Sequence, residues 1–261
     1  MKYPETTDGI LGGKTPPPPD SAVLGGMLGL SITAIGMRSL KQCLEIFQTL
    51  QSPLQLQYLE LAIGSPCGVE MDYGNIPLIL HDSCLYQERM RMRLSPLVPK
   101  SWQPYARFIA EHNVRAVSLH PPLQRDCGRS HLETALAQME KTLQVPVFLE
   151  VMPAAEYWCS SRDTLVDYPL LLDVSHVLIW HGGDALQTQE TCLSLLKTYP
   201  VGAIHLSHNN GQADAHDLIP ASVWFRDRLT QWTNQYFVTY ESLPTSQAAY
   251  ERLDKRGRKR D

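Results

Sequence analysis

PLLLDVSHVLIWHGGDALQTQETCLSLLKTYPVGAIHLSH, residues 169–208, decides the fold. A nearly continuous apolar run (PLLLDVSHV, 169–177) is followed by a helical stretch (about 188–198) and a second apolar run (GAIHLSH, 202–208). Strands buried on both faces read this way, and a helix between two of them is the unit from which parallel sheets are built. Each run ends in metal-ligand residues: Asp173 and His176 in the first, His205 in the second.

The same unit recurs on either side. Further strands are expected at LGLSITAI (28–35), QYLELAIG (57–64), IPLILHD (76–82), RAVSLHPP (115–122), VPVFLEV (145–151) and FVTYES (237–242). Helices are expected at about 38–51, 101–113, 130–143, 160–168 and 220–235; in the third, Leu132, Leu136, Met139 and Leu143 share one face at helical spacing. Eight strands with intervening helices predict a single (β/α)8 barrel, which takes ~250 residues. The barrel is expected over 21–251, between a Pro-rich arm (1–20, with the run Pro16–Pro19) and a basic tail (252–261).

In such barrels the active site lies at the carboxyl ends of the strands. There the sequence places His81, His120, Glu150, Asp173, His176 and His205, then Asp214 and His216 in the loop that follows, and finally Glu241. A single histidine at a strand end is more often a hydrogen-bonded core residue than a ligand, and an aspartate there is commonly a helix N-cap. Nine such residues in register have no common structural need, and together they can converge on two or three cations. Imidazole with carboxylate suits iron, zinc or manganese, and no cysteine ends a matching strand. Glu150 and Glu241 have room to bridge two cations. His208 and His181 read as candidate substrate-facing residues, and Glu60, inside strand 2, as a paired structural carboxylate.

Composition narrows the partners. The net charge is −4, but residues 252–261 carry six Lys/Arg against two Asp, which leaves about −8 on the body. That is a poor surface for tracking nucleic-acid phosphates, so nucleic acid is not expected as a partner. The six cysteines are scattered with no CxxC pair, as suits reduced thiols in the cytoplasm. The apolar run Ala22–Gly36 contains four glycines and is shorter than the ~20 residues of a membrane span, so no membrane association is expected.

The ordered ligand set resembles the xylose-isomerase-like barrel superfamily, and two of its branches most closely. One is endonuclease IV, a trinuclear zinc phosphodiesterase with the same order of His, His, Glu, Asp-x-x-His, His, Asp-x-His and Glu. The other is the family of multinuclear non-haem iron-dependent oxidative enzymes. IHLSHNNGQADAHDLIPASVW (204–224) is similar to that family's stretch down to Pro220, Val223 and Trp224, and LLLDVSHVLIWHGGDA (171–186) to another. Ser175 and His176 stand where that family has two asparagines, and Val151 where it favours Asn. The resemblance covers about 30–245. It implies two or three irons, a cysteine-containing peptide or small thiol as substrate, dioxygen as oxidant, and a separate peptide-recognition protein as partner. Zinc-dependent phosphodiester cleavage, sugar isomerisation or epimerisation, and a non-catalytic binding module are the competing readings on the same barrel.

Overall fold

The computed structural model describes residues 26–36, 38–62, 71–82 and 94–245. The expected arm (1–20) and basic tail (252–261) lie outside the described residues. Eight strands, β1 (Met27–Ser31), β2 (Tyr58–Ala62), β3 (Leu78–Asp82), β4 (Val114–Leu119), β5 (Val147–Glu150), β6 (Leu170–Asp173), β7 (Val201–Leu206) and β8 (Phe237–Tyr240), form a closed barrel in sequence order. Every adjacent pair is parallel, and β8 closes on β1 through Met27 opposite Phe237. The helices are α1 (Ile32–Ile35), α2 (Leu40–Leu54), α3 (Gln103–Glu111), α4 (Arg129–Leu143), α5 (Val174–Trp180), α6 (Ala185–Thr198) and α7 (Leu229–Trp232). None of them is long and apolar enough to cross a membrane.

Two apolar clusters hold the barrel. The larger lies between strands and helices, where Leu132, Leu136, Met139 and Leu143 of α4 are all buried, as their spacing requires. The smaller is the plug inside the barrel: Tyr58, Ile79, Ala116, Phe148, Leu171, Ala203 and Phe237, one from each of β2 to β8. Side chains alternate along a strand, so residues two positions on share the inward face. Two residues beyond each plug residue come Glu60, His81, Ser118, Glu150, Asp173, His205 and Thr239; two beyond Ser118 and Thr239 come His120 and Glu241. The apolar floor and the polar layer above it thus belong to one periodic pattern. Gly29 of β1 is part of the floor, for a Cβ there would overlap the Tyr58 ring.

Four expected elements end or break early. The strand expected over 28–35 stops at Ser31, whose hydroxyl caps the short α1 by accepting from Thr33 N. The strand expected over 169–177 stops at Asp173, whose carboxylate accepts from the backbone N–H groups of Ser175 and His176 and starts α5. The helix expected over 160–168 is only a 3-10 turn, Arg162–Thr164, because the Thr164 hydroxyl takes up the N–H groups of Ser160 and Ser161. Over 220–235 the chain forms a 3-10 turn, Trp224–Arg228, before α7.

Candidate metal centre

Glu150, at the end of β5, occupies the middle of the polar layer and is 1 % exposed. Its Oε2 lies 2.9 Å from His120 Nε2 and 3.5 Å from His81 Nε2. Its Oε1 lies 3.5 Å from His205 Nδ1, which is 3.2 Å from Glu241 Oε2. Two donor groups result, each with its ligand atoms within 4.8 Å of one another: His81, His120 and Glu150, and then Glu150, Asp173, His205 and Glu241. Glu150 belongs to both.

A third group borders them. Asp214 Oδ2 is 3.2 Å from His176 Nε2 and 3.1 Å from His216 Nε2. His176 Nδ1 makes a 2.7 Å hydrogen bond with the backbone carbonyl of Val151. A carbonyl only accepts, so Nδ1 carries the proton and the other nitrogen faces Asp214. The bond uses backbone, so a Val at this position serves as well as an Asn. His216 itself sits at φ 49°, a left-handed conformation that a non-glycine residue rarely adopts and that clusters at functional sites.

The donors fit cations. Glu150 Oε2, Asp173 Oδ2, His205 Nδ1 and Asp214 Oδ1 are buried without a hydrogen bond of good geometry, the short contacts of Glu150 Oε2 and His205 Nδ1 being to other donors of the layer. Buried polar atoms are rarely left so, and four of them converging in one layer match the lone pairs that a cation would take. Asp173 shows the division of labour within one side chain: Oδ1 caps α5, while Oδ2 is left for the layer. The donor atoms are nitrogen and oxygen throughout, as expected for iron, zinc or manganese. The described cysteines (Cys43, Cys127, Cys159 and Cys192) are free and lie elsewhere, three of them buried.

Electrostatics follow from crowding. Burial alone would raise Glu150, yet His120 and His81 hold its carboxyl well below the usual range. Burial lifts Asp173 to about 6 against the pull of His176. Burial would lower His176, but Asp173, Asp214 and Glu150 push it up to about 10. His205 is raised well above its ordinary value against its own burial, by Glu241 and Glu60, and His216 to about 9, chiefly by Asp214. His81 goes the other way, lowered to about 4 by burial. Without cations, protons on the three raised histidines offset part of the carboxylate charge.

All nine expected ligands therefore lie in or beside one layer, two groups sharing Glu150 and a third, His176, Asp214 and His216, bordering them. The two expected substrate-facing residues are placed differently. His181 caps the C-terminus of α5, and its Nε2 bonds the Thr191 hydroxyl of α6 at 2.8 Å, which makes it a turn residue. His208 is half-buried beyond β7 and pairs through its backbone with Asp217, closing the loop that carries Asp214 and His216. Glu60 is paired, as expected, its Oε2 lying 2.8 Å from His205 Nε2. Ser118 bonds His81 Nδ1 through its hydroxyl at 3.0 Å; its only sequence signal is its place two residues before His120, which marks it as inward-facing. Among the described residues a cavity of about 160 Å³ opens beside His120, walled by Leu94, Pro96, Pro121, Leu123 and Tyr157 with Asp82.

No family profile and no curated protein matches the chain. Solved structures do. A D-allulose 3-epimerase from Methylomonas sp. aligns with a TM-score of 0.54 at 13% identity, over 85% of each chain. An L-ribulose 3-epimerase aligns with a TM-score of 0.50 at 12% identity, over 89% of this chain and 87% of that one. A family 2 AP endonuclease from Brucella melitensis aligns with a TM-score of 0.53 at 11% identity, over 86% of this chain and 96% of that one. What the chain shares with them is the closed parallel (β/α)8 barrel. At these identities the likeness concerns the fold and leaves the reaction to the residues of this chain.

Proposed function

We propose that the chain is a multinuclear iron-dependent oxidative enzyme that modifies a cysteine-containing peptide, or a related thiol, with dioxygen. The observation that carries this reading is the Glu150 carboxylate shared between two donor groups, which offers places for two cations side by side. His81, His120 and Glu150 would hold one ion, and Glu150, Asp173, His205 and Glu241 a second. His176, Asp214 and His216 would hold a third, their ion-pair contacts of 3.1–3.2 Å being the spacing of neighbouring ligands around one metal. Bound iron would supply the redox chemistry and the coordination of thiolate and dioxygen.

The chain's own part is geometry and exclusion. Ser118 and the Val151 carbonyl fix the rings of His81 and His176. The plug of Tyr58, Phe148 and Phe237 keeps water from entering through the floor. The cavity beside His120, about 160 Å³, opens next to the first donor group and would receive a substrate side chain. A separate protein that presents the peptide is the expected partner. The test is to load the protein with ferrous iron without oxygen, then admit dioxygen with a library of cysteine-containing peptides. A mass change on the cysteine-bearing peptides, absent with zinc-loaded protein, is expected; an unchanged library would count against the oxidative reading.

One observation favours a second reading. The pair Asp173-x-x-His176 has histidine where the resembling iron enzymes have asparagine, as endonuclease IV does, and so points to zinc-dependent phosphodiester cleavage. The acidic body weighs against a nucleic-acid substrate. Cleavage of an oligonucleotide by zinc-loaded protein would reverse the ranking.

A further inference from the structure

We infer that Glu60 is a positioning residue of the metal centre, holding His205 in the tautomer and orientation that present Nδ1 to the cation between Glu150, Asp173 and Glu241. The inference rests on the metal centre proposed above and not on the choice of iron or thiol. Glu60 comes from β2 and His205 from β7, strands that do not pair, so the two side chains meet inside the barrel. Both are buried, at 1 % and 0 % exposure, and Glu60 Oε2 lies 2.8 Å from His205 Nε2. An ionised carboxylate only accepts, so Nε2 carries the proton and a neutral ring is left with its lone pair on Nδ1. That atom is buried without a hydrogen-bond partner, 3.5 Å from Glu150 Oε1 and 3.2 Å from Glu241 Oε2.

Glu60 is not among the four donors that close on one another around His205, so it acts through the histidine. It is itself clamped. Thr239 donates its hydroxyl to Glu60 Oε2 at 3.3 Å, and because that proton is committed, the Tyr58 hydroxyl 2.6 Å away must donate to Thr239. Tyr58 is held in turn by Phe237, edge-on with ring centroids 5.8 Å apart, over the space that Gly29 leaves open. The apolar floor and the ligand layer are thus joined at Glu60: Tyr58 donates to Thr239 and Thr239 to Glu60, which also accepts from His205. A carboxylate on the far nitrogen of a ligating histidine fixes its orientation and raises its basicity.

The experiment compares Glu60→Leu and Glu60→Gln with the wild type in zinc content and affinity. The imidazole nitrogens of His205 are followed by NMR in the zinc-loaded proteins. Gln keeps an acceptor for Nε2–H, so Glu60→Gln should stay within about tenfold of the wild-type affinity, whereas Glu60→Leu should lose about 100-fold at one cation. Wild type and Glu60→Gln should show a slowly exchanging Nε2 proton that Glu60→Leu lacks. Thr239→Val, which leaves the carboxylate but removes its clamp, should fall between them and carries the test if Glu60→Leu fails to fold. Wild-type affinity and an unchanged His205 signal in Glu60→Leu, or in Thr239→Val if Glu60→Leu does not fold, would overturn this role alone. A wild-type protein that takes up no cation would overturn the metal centre and the role together.

Discussion

At the scale of single residues the centre depends most on Glu150, whose two oxygens face different donor groups. Glu150→Ala is expected to lose the cations of both groups, leaving at most one per chain, while His216→Ala is expected to lose no more than one. Elemental analysis of the two variants beside the wild type checks this, and equal losses would contradict the shared role. Which residues end the strands was legible, because apolar runs that terminate in His, Glu or Asp stand out at 81, 120, 150, 173 and 205. How they divide among cations was not. That division depends on the rotation of each ring, and the bonds that set it come from Ser118, the Val151 carbonyl and Glu60, of which only Glu60 is a ligand type, and it lies inside its strand and not at the end.

At the scale of elements, the boundary between β6 and α5 shows what a sequence leaves open. Val174 and Val177 continue the apolar run of Leu170–Leu172, so periodicity alone cannot separate strand from helix there. The Asp173 side chain decides it by capping α5. Asp173→Ala and Asp173→Ser both remove a crowded carboxylate and should both lose a cation, but Ser retains an N-cap. In cation-free protein the Ala variant should therefore be less stable than the Ser variant by about 1 kcal/mol in denaturant unfolding. Equal stabilities would show that the cap contributes nothing. In the floor, Gly29→Ala would drive a methyl group into the Tyr58 ring, a cost of about 1–3 kcal/mol in stability. Thermal unfolding measures it; an unchanged midpoint would show that the ring has room to shift.

At the scale of the whole molecule, the barrel itself was legible from eight apolar runs separated by helices, and the structure closes them in order. The layer at the mouth crowds the carboxylates of Glu150, Asp173, Asp214 and Glu241 among histidines, so protons and cations compete there. In the cation-free protein His176 and His216 are raised to about 10 and 9, so the stability they contribute is full below ~6.5 and is lost as pH rises through those values. Glu150 is depressed, so its contribution is present above the ordinary carboxylate range and is lost as pH falls through its folded value. A cation needs the neutral imidazoles and so displaces the protons of His176, His205 and His216. Cation binding at pH 7 should release at least one proton per chain, and affinity should rise with pH. Calorimetry in buffers of different ionisation enthalpy measures the release, and none would mean that the histidines are not ligands.

The central claim is that one layer of side chains at the mouth of this barrel binds two or three cations. The most direct measurement is elemental analysis of protein expressed in iron-supplemented cells and purified without oxygen. Two to three irons per chain are expected. Two to three zincs with little iron would keep the centre and move the chemistry to hydrolysis, and less than half a metal ion per chain would contradict the account.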